Sequence, residues 1–282
     1  MRIEGRTALL LLTPALGLMA VLYVVPLAVY LVNGLHAFRD GRIVPVWTLE
    51  TTRRFFADPF SYRVIWASLR LSFIVTALTL GIGYPLAYAL HTRVARPGAR
   101  VVTGLLLFSP LVVSVVVRTY GWLILLADRG LVNTLLRQAG LIQAPLGLLF
   151  NLTGVVVSLT HILLPFAVFP IYSVLSRLDW TLAEAARDLG ADWQQVFVRI
   201  TLPQSMPGVV AASLICFTLS LSAFVTPQLL GGGRVQVLPL DVYNSTVEIN
   251  WPEGAVAATV LLVLSLAAVW TLGRALRLVS AA

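Results

Sequence analysis

Side chains able to do chemistry are sparse in this 282-residue chain, and where they fall excludes most reactions. The three histidines, His36, His91 and His161, lie far apart with no metal-ligand spacing, so no metal site is expected. The single cysteine, Cys216, sits inside an apolar run, where a thiol acts as a small hydrophobe and no intrachain disulfide can form. All 20 cationic side chains are arginine. A phosphate-binding Gly-x-x-x-x-Gly-Lys-Ser/Thr loop needs a lysine, so any nucleotide that drives this chain must be bound elsewhere. The 12 carboxylates fall almost wholly outside the apolar runs. A membrane-embedded enzyme would need His, Asp or Glu clustered at one depth, and a stand-alone ion-coupled transporter would need midplane acids or visible repeats. Neither pattern is present, so the chain is read as a non-enzyme.

One polar stretch, residues 181–207, carries most of the local signals. Thr181 with Glu184 three residues on reads as a capping box, and Asp192 with Gln195 reads as a second. Gly190 stands where the first helix should stop, in the left-handed conformation that glycine adopts freely. Pro203 and Pro207 lack the donors of a continuing helix, which predicts a break before the next apolar run. The expected result is a helix, a glycine elbow, a second helix and a stop. Trp193, Phe197 and Ile200, at spacings of four and three, give the second helix a narrow apolar stripe that needs a cover. On the residues alone, the simplest cover is the chain's own bundle.

The elements that must position this stretch are membrane spans. The chain is 59% hydrophobic and 11% charged, whereas about a quarter of residues are charged in soluble domains, so it is an integral membrane protein. Its net charge of +8 then serves orientation in the bilayer, and no nucleic-acid partner is expected. Six spans are expected, at about residues 8–31, 65–90, 101–126, 152–175, 208–230 and 255–272, in one all-α polytopic domain over residues 1–282. The first apolar block is too long for a secretory signal and is read as a retained span, kinked by Pro14 and Pro26. Gly81, Gly83 and Pro85 give the second span a small-residue face for close helix contact. Residues 33–62 read as a loop with a short interfacial helix at about residues 52–56. Leu131, Leu135 and Leu136 predict a short amphipathic helix. Arg118, about 17 steps of 1.5 Å along a straight third span, would snorkel to the far surface beside Tyr120 and Trp122. The sequons at Asn151 and Asn244 are short enough to occur by chance.

Orientation follows from arginine. With both termini inside, Arg2, Arg6, Arg93, Arg96, Arg100, Arg177, Arg187, Arg199, Arg274 and Arg277 are cytoplasmic. Eight arginines are then external, on longer loops, five of them between Arg39 and Arg63. This choice puts residues 181–207 in the cytoplasm.

The run Glu184-Ala185-Ala186, with Gly190 four residues on and Ile200, Leu202 and Pro203 after a further nine, resembles the Glu-Ala-Ala loop of ATP-binding cassette importer permeases. The resemblance implies the type I importer permease fold. It also implies that Glu184, Ala185, Ala186, Gly190, Asp192, Trp193, Phe197, Ile200 and Pro203 form a coupling element seated in a cleft of a separate ATPase. Further runs are similar to the spermidine/putrescine branch of the family: Arg118-Thr-Tyr-Gly-Trp122, Gly130-Leu-Val-Asn133, His161-Ile-Leu-Leu-Pro-Phe166 and Phe224-Val-Thr-Pro227 with Leu229-Leu-Gly-Gly232. Relatives with these runs also import opines, phosphonates and other small solutes. The partners implied are an ATPase dimer that binds ATP and magnesium, a second permease subunit, identical or paralogous, an external solute-binding protein and the lipid bilayer.

For the solute path the candidates are Tyr120, Trp122, Asp128, Phe224, Asp241 and Glu248, with Tyr84, Tyr88, Tyr172, Ser222 and Asn244 behind them. Acids at the outer ends of spans would attract a dication, and aromatic faces would receive its ammonium groups.

Overall fold

The computed structural model describes residues 5–39, 41–94 and 97–280; the expected orienting roles of Arg2 and Arg96 lie outside the described residues. The chain divides into two compact units, one of Met1–Arg63 with Asp241–Val260 and one of Val64–Leu240 with Leu261–Ala282.

Among the described residues five helical stretches are long and apolar enough to cross a bilayer: Leu12–Leu35, Pro59–Thr92, Leu152–Leu175, Trp193–Leu221 and Trp251–Thr271. A sixth is a bent pair, Val101–Val112 with Val115–Gln138, turned by 98°. Six expected crossings are therefore met by five helices and one broken element.

In the first unit, α1 (Gly5–Met19) passes through a π turn at Ala20–Val24 into α2 (Val25–Val32). The widened turn ends with the amide of Val25 donating to Ala20, five residues back, immediately before Pro26, which has no amide to give. A two-stranded antiparallel hairpin, β1 (His36–Arg39) and β2 (Arg42–Trp47), follows, turned at Gly41 with φ of +74°. The hairpin falls where the sequence predicts loop, its alternation being poor and Pro45 lying within it. In a two-stranded ribbon Pro45 needs no second partner, so it is tolerated. α3 (Glu50–Ala57) covers the hairpin with Phe55, buried to 5% exposure, and is longer than the expected turn. Within this unit Tyr30 bonds Thr246 at 2.9 Å on α13 (Leu238–Val247). Gly34 meets Val256 on α14 (Trp251–Ser280), where an added Cβ would come within 3.3 Å.

The second unit is built around α8 (Leu152–Leu175) and α11 (Leu202–Leu221). An apolar bilayer gives two apolar helices little reason to meet, so close backbone approach through small residues must supply the contact. Gly208 does this: a Cβ there would lie 3.0 Å from the Cα of Ile171 and from the carbonyl oxygen of Pro170. Gly83, on α4 (Pro59–Thr92), faces Ala167 in the same way at 3.0 Å, whereas Gly81 faces open space and Pro85 is exposed, so one of the three residues of the expected small-residue face is used. Val155, Ala167, Ile171 and Leu175 of α8 are fully buried with Ala212 and Cys216 of α11. The thiol of Cys216 points at the carbonyl of Leu163, 3.9 Å away, as a packed hydrophobe.

Two expected continuous spans are broken. The third is α5 (Pro97–Val112) and α6 (Val115–Leu126), parted at Val113 and Ser114, where Ser114 takes an extended conformation. The 98° bend means that Arg118 does not continue up a straight helix to the far surface. The fifth is not one helix over residues 208–230: α11 ends at Leu221, and α12 (Val225–Leu230) follows a short break. The amphipathic helix expected near Leu131 is α7 (Leu131–Gln138), held through fully buried Asn133, whose amide group donates to Ala127 and Leu146 and whose oxygen accepts from the Leu146 amide.

Candidate functional site

Between α8 and α11 the chain makes α9 (Thr181–Asp188), an elbow at Gly190, and α10 (Trp193–Val196). The start of α9 differs from the expected capping box. Asp179, not Thr181, supplies the capping oxygen: its Oδ1 accepts from the Thr181 hydroxyl at 2.7 Å and from the Thr181 amide at 3.0 Å. These bonds hold the Asp179 carboxyl below its ordinary pKa. Thr181 is thereby the first helical residue, and Glu184 is left free of a cap role, its amide bonded to the Trp180 carbonyl at 3.0 Å.

The end of α9 is a Schellman stop. The amide of Ala191 reaches the carbonyl of Ala186 at 3.0 Å and that of Gly190 the carbonyl of Arg187 at 2.9 Å, with Gly190 at φ of +87°. Ala185 and Ala186 are the small residues inside this turn. Leu189 stands 90% exposed at the tip. α10 then opens with the expected capping box: Asp192 Oδ1 accepts the Gln195 amide at 2.7 Å and the Gln195 side chain accepts the Asp192 amide at 3.3 Å.

Here the expected stop at Pro203 fails. A π turn over Phe197–Thr201 carries α10 straight into α11, with the amide of Leu202 donating to Phe197. As before Pro26, the wide turn closes on the residue ahead of the proline, so the missing Pro203 donor breaks nothing. Ile200 and Pro203 thus lie inside one continuous 29-residue helical run, Trp193–Leu221. The elbow is joined rigidly to the packed helix α11.

The stripe on α10 is split. Phe197 packs on its own bundle, edge-on to Tyr84 at 5.8 Å and to Tyr88 at 5.7 Å, and Val196 beside it is buried. Trp193 stacks on Phe197 at 5.5 Å yet stays 57% exposed. Next to it, His91 stacks on Trp180 at 4.9 Å. These rings wall a cavity of about 780 Å³ between the end of α4 and the elbow, with Glu184 and Arg187 at its rim. Tyr88, His91 and Trp180 could not be placed here from sequence, since over 80 residues separate the elements that meet.

A second cavity, of about 320 Å³, lies where α6, α8 and the break between α11 and α12 meet. Phe224 lines it with Ser222, Thr226 and Phe166. Arg118 lines it too, and its Nε and Nη1 are buried with no hydrogen-bond partner. Intramembrane charge of this kind marks function by default, and only the assumption of a straight span hid it from the sequence. Thr119 and Thr226, 3.3 Å apart, tie α6 to α12 beside the cavity. Trp122 donates its indole N–H to Nδ1 of His161 at 3.3 Å, and Tyr120 is half exposed.

The remaining candidates are not brought to this cavity. Asp128 lines a separate surface pocket with Arg129, Thr134 and Arg137. Asp241 and exposed Glu248 belong to the first unit. Burial first, and then the carboxylates of Glu253, Glu248 and Asp58, push the Asp241 carboxyl up to about 6, so it takes a proton as pH falls through that value.

Comparison with known proteins gives the class: a transport permease, not an enzyme. Residues 51–276 match the family described as binding-protein-dependent transport system inner membrane component, and the chain belongs to that family. It is 35% identical over 235 residues to the spermidine/putrescine transport system permease protein PotB of Haemophilus influenzae, covering 83% of this chain and 81% of that one. It is 34% identical to the PotB protein of Escherichia coli K12, covering 82% and 84%. The fold is that of type I ATP-binding cassette importer permeases. A subunit of a bacterial alginate importer superposes with a TM-score of 0.78 at 19% identity over 95% of this chain and 93% of that one. A chain of the MetNI methionine transporter superposes with a TM-score of 0.57 at 18% identity, over 82% and 98%.

Proposed function

We propose that this chain is one of two permease subunits of an ATP-binding cassette importer, that its elbow and both termini face the cytoplasm, and that it moves a polyamine such as spermidine or putrescine. The observation that carries the reading is the elbow: α9, stopped at left-handed Gly190, presents an exposed leucine and tryptophan at the end of a helix that runs without interruption into the packed core. Force applied to that tip is delivered to α11 and, through Gly208, to α8. A separate ATPase dimer supplies the force and binds ATP and magnesium, since this chain has no lysine for a P-loop. Rigid-body rocking of the bundle then opens the Arg118–Phe224 cavity alternately to the two sides. An external binding protein delivers the solute. The polyamine assignment rests on the names of the 34–35% identical relatives.

The unpartnered guanidinium of Arg118 favours a second solute class, one that carries a carboxylate or phosphonate. The test is uptake in proteoliposomes holding this chain, its second permease subunit, its ATPase and its binding protein. ATP-dependent accumulation of labelled spermidine that excess carboxylated amine does not compete away supports the polyamine. Accumulation without any ATPase would overturn the importer reading itself.

A further inference from the structure

A third cleft, of about 340 Å³, lies between α4 and the loops around α8 and α12. Its polar walls are Arg70, Arg234, Asn151 and Gln236. The two amides are already engaged: Asn151 caps α8 by accepting the Gly154 amide and donates to the Gly147 carbonyl, and Gln236 donates to Gly233 at 3.0 Å. The two guanidiniums are not. Among the described residues neither the Arg70 nor the Arg234 guanidinium has an ion-pair or hydrogen-bond partner, and no carboxylate lines the cleft.

The cleft is shaped, not incidental. Phe150, in its wall, has φ of +57°, a strained value for a bulky residue. It is held there by donating its amide to Leu230 at 2.9 Å and by lying against Gly232, where any Cβ would collide with the ring. This fixes the loop bearing Arg234 against the start of α8, and the buried Ser68 hydroxyl of α4, which accepts the Leu238 amide at 2.7 Å, ties the helix bearing Arg70 to the same segment.

Depth points to the occupant. Arg70 lies 22 residues before the end of α4 at Thr92, about 33 Å along a helix, against a hydrocarbon core of roughly 30 Å. With Thr92, at the elbow end of α4, as one edge of the span, the other edge falls at about residue 70 instead of the expected 65, and Arg70 lies at headgroup level opposite the elbow. Trp66, one turn further out, is 68% exposed, and Phe73, on the same face nearer the midplane, is 65% exposed. That is an interfacial indole, a cation and an apolar track in the order of a lipid's headgroup and chain.

We propose that this cleft binds the phosphate of an anionic phospholipid, with Arg70 and Arg234 clamping the phosphate oxygens and the acyl chain descending past Phe73. The test is native mass spectrometry of the purified full chain in mild detergent with phosphatidylglycerol, phosphatidylcholine or inorganic phosphate added. Wild-type protein retains phosphatidylglycerol over phosphatidylcholine, and Arg70→Gln with Arg234→Gln lowers that preference by an order of magnitude or more, each basic residue near an anionic surface being worth about a fivefold factor. Arg234→Gln alone, on an exposed loop, loses part of the preference and covers the case in which the double variant does not fold. Equal phosphatidylglycerol retention in wild type and both variants overturns the proposal. So does inorganic phosphate that blocks the cleft as well as the lipid does, which would make it a free-anion site. Loss of the lipid on assembly with the second permease subunit would make the cleft a protein interface and overturns it likewise.

Discussion

The helices α8 and α11 and the residues that connect them are made by opposite rules. The pair is held by long-range fit: Gly208 against Ile171, and fully buried Val155, Ala167, Ile171 and Ala212. The connector is held by local bonds among near neighbours: Asp179 on Thr181, Ala191 on Ala186, Asp192 with Gln195. It exposes large side chains, Leu189 and Trp193, at its tip, where the pair buries Val155, Leu159, Ile171 and Phe217 between its helices and their neighbours. In the proposed coupling role the elbow has to keep its shape without relying on the part it moves, and local capping supplies that independence.

Substitutions can break this contrast in graded ways. The largest effect is expected at Gly208→Leu, whose side chain has only the backbone of Pro170 and Ile171 to occupy. It should cost about 3 kcal/mol or more, read as a fall in thermal unfolding temperature in detergent, in line with overpacking of a tight contact. An unchanged melting temperature would mean that the α8–α11 contact does not hold the unit together. Next is Gly190→Val. Nothing lies within 4 Å of a Cβ there, so the cost is left-handed backbone strain alone, about 1–2 kcal/mol and local. All spans should still insert, while ATP-driven uptake falls by roughly tenfold or more as the tip is re-aimed. Uptake at the wild-type level would detach the elbow from transport. Asp192→Ala removes one cap and should lower stability by about 1 kcal/mol, with uptake reduced less than in Gly190→Val. Smallest is Leu22→Ala in the first span, a residue 68% exposed within this chain, expected to stay within about 0.5 kcal/mol for the isolated subunit. A larger loss in the isolated chain would show that the first span is packed after all.

Sequence reading did best where structure is local. Gly190 and the Asp192–Gln195 box are written in adjacent residues and form as expected. The Thr181–Glu184 box was equally good on paper, but Asp179, two residues earlier, has a stronger acceptor and takes the Thr181 hydroxyl for itself. Prolines are weaker stops in this chain than the missing amide alone implies. Pro26 and Pro203 each follow a π turn that lets the helix pass, a device with no sequence mark of its own. The bend at Val113 and Ser114 follows Pro110 by three residues, a signal that hydropathy alone passes over, and with it went the true position of Arg118. The spans themselves were legible from hydropathy. Which of them would be buried was not: the most apolar 18-residue windows of Leu12–Leu35 and Leu152–Leu175 have mean hydropathies of 2.4 and 2.0, yet 0% of the first and 61% of the second is buried. Apolar character places a helix in lipid, and small residues at matching heights on two helices decide which neighbours meet.

The central claim is that the Gly190 elbow projects into the cytoplasm at the head of α11. Native Cys216 is fully buried, so Leu189→Cys creates a single reactive thiol at the elbow tip. Treated with a membrane-impermeant maleimide, this variant should be labelled in inside-out membrane vesicles and protected when the ATPase is assembled on them, while right-side-out vesicles stay unlabelled. Labelling of right-side-out vesicles alone would put the elbow on the face away from ATP and contradict the account.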